Sequence, residues 1–456
     1  MGINDGSGAG CPAPASQRMA GRVVTGASSV GGAVAMALLL LVVPGHMSAQ
    51  FANIVLGTGG DERPNPAVVI NRKDPRNIVA ASSPANRYRS VDSGKTWEKS
   101  LITSTEGVGG SNVLASDRKG DLFNFHLSRN PATGRSEKIV CQVSKDNGMT
   151  WEEAGNSGTA NVDVLHPAIG MNSRSGEFLL LWTQFDQYGS ADDAHKSMIM
   201  LSQSKEGKKW SEPVRLTSSE GDCSNGDRTP RGGTAVVSRD GYMVAAWSQN
   251  ERLFVDRSFN KGGTWLTNDI EIEKQPGGWS FDIPGLEETN GMPTLLIDKS
   301  SDRYAGSLYL IWADQRNGED DTDIWFSRSL NYGDSWTSAM KINDDEKGSH
   351  QVMPAVAIDQ TTGNLYIVYY DRRAYDDDQT DVYLAYSKDH GNTFSNVKIS
   401  EAPFKTGTAP SLGDYIGIDA SNGIVVPVWT RIDEGISSII ATVIKEADLT
   451  ATTEAE

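Results

Sequence analysis

Ser90-Val91-Asp92-Ser93-Gly94-Lys95-Thr96-Trp97 is one of six versions of a single eight-residue pattern in this chain. Ser144-Lys145-Asp146-Asn147-Gly148-Met149-Thr150-Trp151 keeps Ser, Asp, Gly and Trp in register. Ser329 to Trp336 puts Asn331 where the others have Asp, and Ser387 to Phe394 ends on Phe in place of Trp. Ser258 to Trp265 reads with Asn260 and Gly262, and Ser204-Lys205-Glu206-Gly207-Lys208-Lys209-Trp210 lacks one residue before its Gly. Each position suits a hairpin turn. The Asp or Asn side chain accepts backbone N–H groups, Gly takes a positive φ, and Thr or Ser re-enters a strand. The closing aromatics, at 97, 151, 210, 265, 336 and 394, stand 54, 59, 55, 71 and 58 residues apart. That is the period of a four-stranded blade with its loops.

The filling between turns is β. Ala355-Val356-Ala357-Ile358, Leu365 to Tyr370 and Val382 to Tyr386 are β-branched and aromatic runs, and a short Val397-Lys398-Ile399 follows the turn. The turn pattern resembles the Asp-box, or BNR, repeat of sialidases and related propellers. The resemblance implies an all-β propeller. First strands beginning near Ala67, Asn112, Ala168, Gly233, Pro293, Ala355 and Tyr415 predict seven blades, where the sialidases have six. The seventh unit lacks a fourth strand, and Phe51 to Leu56 stands alone ahead of the first. Pairing it with Ser437 to Ile444 would complete the last blade and close the ring.

In such a ring the turn motifs share one face, and a site belongs on the other. Aligning second strands on Phe125, Trp182, Trp247, Trp312, Tyr369 and Trp429 places Asp314 with Arg316, Asp371 with Arg373, and Arg431 with Asp433 at the rim of the last three blades. Two readings fit. Arg316, Arg373 and Arg431 could converge on a carboxylate, or each could pair with its own Asp and pin a loop. Sialidases hold a substrate carboxylate with three arginines and use a tyrosine nucleophile, so the resemblance implies Arg63 as a further substrate-binding residue and Tyr415 and Asp371 as the catalytic candidates. Here Asp61-Glu62-Arg63-Pro64 departs from the Phe/Tyr-Arg-Ile-Pro motif of those enzymes. Two functions follow: an exo-acting glycoside hydrolase of sialidase type, or a non-catalytic propeller that binds a glycan or a protein partner. No cofactor is expected. Glu319 to Asp323 and Asp376 to Asp381 are the loops whose oxygens could take Ca²⁺, although neither has EF-hand spacing. His166 and His350 precede first strands without metal-ligand spacing.

Lys plus Arg number 42 against 59 Asp plus Glu, giving a net charge of −17. Such a field repels nucleic acid and anionic membranes, so an anionic ligand needs a local basic pocket. Residues 50–446 read as one propeller, expected as a monomer, and 447–456 as an acidic disordered tail. Cys141 and Cys223 are the cysteines within the propeller and could pair or stay free. Residues 1–49 read as a signal peptide, with translation starting at Met1 or Met19: Gly31 to Val43 is apolar, follows Arg18 and Arg22, and ends in Ser48-Ala49-Gln50. The run is short for a membrane span, which implies export to the periplasm, envelope exterior or medium. Exported protein should begin between Ser48 and Phe51. An intact mass that retains Leu38 to Leu41 would contradict this.

Overall fold

A computed structural model describes residues 51–59, 63–158, 161–172, 174–286, 289–301, 303–346, 348–407 and 411–449. The expected leader, residues 1–49, lies outside them. The fold is a seven-bladed propeller of antiparallel sheets with four main strands each. The first, innermost strands are Ala67–Ile70, Gly110–Ser116, Asp163–Asn172, Arg231–Val237, Thr294–Ile297, Gln351–Ile358 and Gly417–Ser421.

Second strands carry the core. Met243–Gln249, Leu308–Asp314 and Leu365–Asp371 are buried at every residue, because each lies between two neighbouring blades. Hence they read as continuous apolar runs with no alternation. The aromatics used to align them, Phe125, Trp182, Trp247, Trp312, Tyr369 and Trp429, are all essentially inaccessible to solvent. Each such burial stabilises the ring by about 3 kcal/mol. Outer strands such as Glu98–Leu101 are exposed throughout.

The N-terminal strand closes the ring as expected, with its bounds shifted to Ile54–Thr58. It pairs antiparallel with Ile436–Ala441, aligning Ile54 with Ala441 and Thr58 with Ser438. Thr442 Oγ1 donates to Ala52 O at 2.8 Å, and Gly59 N donates to Ser437 O at 2.7 Å. Asn53 and Glu401 exchange two hydrogen bonds at 2.9 Å, so the segment is also tied to the sixth blade. At the other end the chain stays ordered past 446: Glu446–Leu449 is a 3-10 helix whose Leu449 is buried and accepts from Tyr386 Oη at 2.7 Å. Residues 450–456 lie outside the described ones.

The turn motif makes the bonds its residue types imply. Asp92 accepts from Thr96 N at 2.9 Å and Thr96 Oγ1 at 2.7 Å, and Ser90 Oγ accepts from Gly94 N at 2.9 Å. Trp97 Nε1 donates to Gly94 O at 2.9 Å. Asp146 and Asp389 repeat this geometry. The motif also does something its spacing does not reveal. A Cβ on Gly148 would lie 2.7 Å from Val79 of the preceding blade, and one on Gly94, Gly207 or Gly391 would collide with Val443, Cys141 or Phe326. In these blades the Gly is where the sheet docks on the one before it, whereas Gly333 of blade five has its nearest neighbour, Leu308, in its own blade.

This contact is separable from backbone strain. Gly391 and Gly134 both have positive φ, 79° and 73°, but nothing lies within 4 Å of a Cβ on Gly134. Gly134→Ala should cost about 1 kcal/mol, the left-handed backbone penalty alone. Gly391→Ala should cost about 1–3 kcal/mol more, from overpacking against Phe326. Urea denaturation of the two variants checks this, and equal losses would refute the docking role.

Candidate functional site

The first strands of all seven blades line a central channel. Its upper chamber, on the face away from the turn motifs, has a volume of about 360 Å³ and is lined by His166, Tyr415, Asn112, Asn290 and Met292 among others. The polar residues reach it through backbone irregularity. The inner strands of blades two, three, four and six each have a register shift, between Gly110 and Val113, Leu165 and Ala168, Arg231 and Thr234, and Val352 and Ala355. In each, one residue takes positive φ: Ser111 at 50°, His166 at 52°, Gly232 at 64° and Met353 at 55°. Asn65 holds the same position in blade one at 41°. Such bulges re-aim a side chain. Counting three residues before the inward Val68, Leu114, Ile169, Ala235, Leu295, Val356 and Ile418 yields Asn65, Ser111, His166, Gly232, Met292, Met353 and Tyr415. Blades seven, one, two and three thus supply polar groups, and blades four to six supply Gly and Met. One half of the ring is polar.

Tyr415 and His166 meet in that half. The Tyr415 hydroxyl lies 3.2 Å from His166 Nδ1 and 3.4 Å from Ser111 Oγ, and the two rings pack edge to face at 5.6 Å. Desolvation inside the chamber, and then the Arg231 guanidinium, push the partly exposed His166 imidazole down from its ordinary value. The ring is therefore neutral at ordinary pH, so Nδ1 can accept the phenol proton. Asp414, one residue before Tyr415, takes Asn65 Nδ2 at 3.0 Å and has Arg63 Nη1 4.0 Å away. Arg231 is 2% exposed and sits among Phe185, Tyr188 and Trp279, with ring centroids 5.2, 5.9 and 5.1 Å from its guanidinium carbon. Its Nη2 donates to Asn225, whereas Nε and Nη1 have no hydrogen-bond partner among the described residues. Burial lowers the Arg231 pKa, and Tyr188, Asp414 and Tyr415 partly offset this. A buried cation with idle donors beside a hydrogen-bonded tyrosine is a ready receptor for an oxyanion.

The structure divides the sequence candidates into two groups. Tyr415 lines the chamber, and Arg63 lies beside Asp414. Asp371, Arg316, Arg373 and Arg431 do not line it; each arginine is engaged by its own Asp. Arg316 Nη2 lies 2.6 Å from Asp314 and its guanidinium stacks 4.2 Å from Trp325. Asp314 also accepts from Trp312 Nε1 at 2.8 Å. Arg373 Nε lies 2.8 Å from Asp371, with Asp344 as a second partner and Tyr383 stacked at 4.3 Å. Arg431 Nε lies 2.6 Å from Asp433. The loop-pinning reading describes these pairs: Asp314 and Asp371 end their strands and accept the backbone N–H of the turn residues Arg316 and Arg373, which puts each guanidinium beside its own Asp. Asp371 is spent on Arg373 and Gln351. His350, by contrast, faces Thr322 at 3.0 Å.

Sequence reading missed Arg231 and the pairing of His166. A signal existed: Asn65, His166 and Met353 each precede a proline, and proline inside a strand marks a bulge. In the acidic loops, Asp321, Asp323 and Asp345 bring carboxylates within 4.8 Å of one another, but the Lys341 ammonium lies 2.8 Å from Asp323 and 3.2 Å from Asp345 and supplies the positive charge. Lys405 does the same for Asp377 at 3.0 Å and Asp378 at 3.2 Å. Cys141 and Cys223 are both free and buried.

The chain matches no family model and no curated protein sequence. Among solved structures it is similar to an ulvan lyase bound to -[GlcA(1-4)Rha3S]-, at 11% identity and a TM-score of 0.50, covering 88% of this chain and 99% of that one. It is also similar to a Penicillium chrysogenum α-L-arabinanase complexed with arabinobiose, at 13% identity and a TM-score of 0.46, covering 87% and 98%. A Trypanosoma rangeli sialidase in complex with the inhibitor DANA matches at 12% identity and a TM-score of 0.45, covering 86% and 61%. The likeness is one of fold.

His166 provides a pH test. Its folded pKa lies below the ordinary value of 6.5, so the unfolded chain binds the proton first and stability falls as pH drops from about 6.5 toward that lower value. Between about pH 7 and pH 5, above the range of ordinary carboxylates, wild type should lose more stability than His166→Gln. Urea midpoints at the two pH values measure the difference, and parallel losses would show that the solvent of the chamber holds His166 at its ordinary value.

Proposed function

We propose that this chain acts on a glycan bearing a carboxylate, seated in the polar half of the upper chamber. The observation that carries the reading is the Tyr415 hydroxyl held on a neutral His166 beside the idle donors of Arg231. In the proposed reaction the Tyr415 oxygen attacks the anomeric carbon, its proton leaving along the His166 hydrogen bond to the solvent of the chamber, and the departing glycan oxygen takes a proton from that solvent. Water then attacks the anomeric carbon and breaks the tyrosyl link, its hydroxyl staying on the released sugar and its proton restoring the Tyr415 phenol. Arg231, next in the chain to the chamber-lining Gly232, and Arg63, beside Asp414, would hold the carboxylate from behind the lining. That the lyase of like fold is bound to -[GlcA(1-4)Rha3S]- agrees with an acidic sugar in such a ring. Export, as the leader implies, would bring the chain to extracellular glycans.

A specific observation favours a second reading, a propeller that binds without turnover. The three rim arginines, which a sialidase-type clamp would need, are each engaged by an Asp two residues away. The two readings part in one assay. Wild type, Tyr415→Phe and His166→Gln are incubated with fluorogenic sialosides and uronides, and with acidic polysaccharides followed by reducing-end release. Hydrolysis should be seen with at least one carboxylate sugar, and Tyr415→Phe should lower it by about 10³-fold or more, as expected for a lost nucleophile. Ultraviolet absorbance of an unsaturated product would instead mean that the same tyrosine removes a proton from carbon. Binding without turnover on every substrate would leave the second reading.

A further inference from the structure

The opposite end of the channel carries a different set of side chains. Seven residues after the ring positions Asn65, Ser111, Gly232 and Met292 stand Arg72, Arg118, Arg239 and Lys299. Each follows the residue that opens the hairpin from first to second strand. The opening side chain is bound into its own turn: Asn71 Oδ1 accepts from Lys73 N at 2.9 Å, Asp117 Oδ1 from Lys119 N at 2.9 Å, and Asp298 Oδ1 from Ser300 N at 2.7 Å. The next residue is thereby left to face the axis. All four cations line one chamber of about 610 Å³ on the turn-motif face, separated from the upper one by a waist of Val68, Leu114, Ile169, Ala235, Leu295 and Ile418.

The acids of this chamber are already occupied. Asp419 is bound by Arg72 Nη2 at 2.6 Å and by Ile70 N at 2.7 Å. Asp359 accepts from Thr361 N at 2.9 Å and from Gly423 N at 2.7 Å. Lys299 has a carbonyl for a partner, Met171 O at 3.0 Å, and Arg239 donates to the Lys299 carbonyl. Burial, and then Arg118 and Arg239, push the Lys299 ammonium down to about 8. Among the described residues Arg72 is matched by Asp419, whereas Arg118 and Lys299 have no carboxylate partner, so like charge is concentrated there.

We propose that this lower chamber is a second binding site, for a small polyanion carrying two or more phosphate, sulfate or carboxylate groups. The volume suits a small molecule. The cations stand around a ring, which fits a compact ligand better than an extended polymer. They come from blades one, two, four and five, while the equivalent residues of blades six and seven are Gln360 and Asn422, so the ligand sits off the axis. The site is independent of the chemistry assigned to Tyr415, since the apolar waist lies between them.

Calorimetric titration with inorganic tripolyphosphate, citrate and a persulfated disaccharide tests the proposal and distinguishes the three anion chemistries. At least one should bind saturably, one per chain, and more weakly as salt is raised. Arg118→Gln and Lys299→Gln should each weaken it by about tenfold, the order for one charge-assisted contact. Arg118 is exposed, so its variant keeps the fold even if Lys299→Gln does not. Tyr415→Phe should leave the affinity unchanged. No saturable binding by any of the three, binding indifferent to both cation variants, or binding lost in Tyr415→Phe would each overturn the lower site.

Discussion

The docking of turn-motif glycines against the preceding blade is the contact on which the rest of the ring depends. A glycine that admits no Cβ fixes how near two blades stand, as Gly148 does against Val79 and Gly391 against Phe326. The aromatic three residues later then covers the same seam: the Arg87 guanidinium lies 4.1 Å over Trp151, and Phe326 and Phe394 meet edge to face at 5.2 Å. Five such seams, at Gly94, Gly148, Gly207, Gly262 and Gly391, hold a blade close against the one before it. Closure is completed by Ile54–Thr58, which gives Ile436–Ala441 the outer neighbour it would otherwise lack. Without it the last blade would present an open edge.

Much of this was legible in the sequence because the fold rests on local rules repeated. The turn chemistry needs particular residue types at particular offsets, so its six copies declare themselves. The second-strand aromatics align because every blade buries the same position. The lone strand at 54–58 was legible by subtraction, as the piece the seventh blade lacked. The site was only half legible. Tyr415 is where strand counting places it, but what makes it a candidate is His166 and Arg231, from two other blades. The rim arginines show the converse failure. Their two-residue offsets place Arg431 and Asp433 on one strand, but Arg316 and Arg373 fall in the turn after the strand, where each is satisfied by the Asp that ends it.

The bulges escaped notice because they are backbone events. A non-glycine residue at positive φ leaves little trace in composition, and Ser111 has none of the proline that marks His166 and Met353. Their consequence is large, since side chains alternate along a strand and one extra residue reverses the order. An acidic exterior likewise concealed the cations of the channel. Net charge describes the far field, while a ligand in a narrow chamber meets the few side chains that line it.

Parity links the two ends of the channel. Residues an odd number apart on a regular strand point to opposite faces, so Gly232 and Arg239, or Met292 and Lys299, should not both look inward. Yet both members of each pair line the channel, one at its upper chamber and one at its lower. In blade four the register shift between Arg231 and Thr234 provides the extra residue that restores the phase. In blades two and four such an irregularity lies between the ring position and the cation seven residues on, whereas blades one and five place Arg72 and Lys299 with a regular inner strand, from the hairpin that follows it. Inner strand and following hairpin together give a repeated element two chemically distinct mouths, a hydrogen-bonded phenol at one and a collar of positive charge at the other.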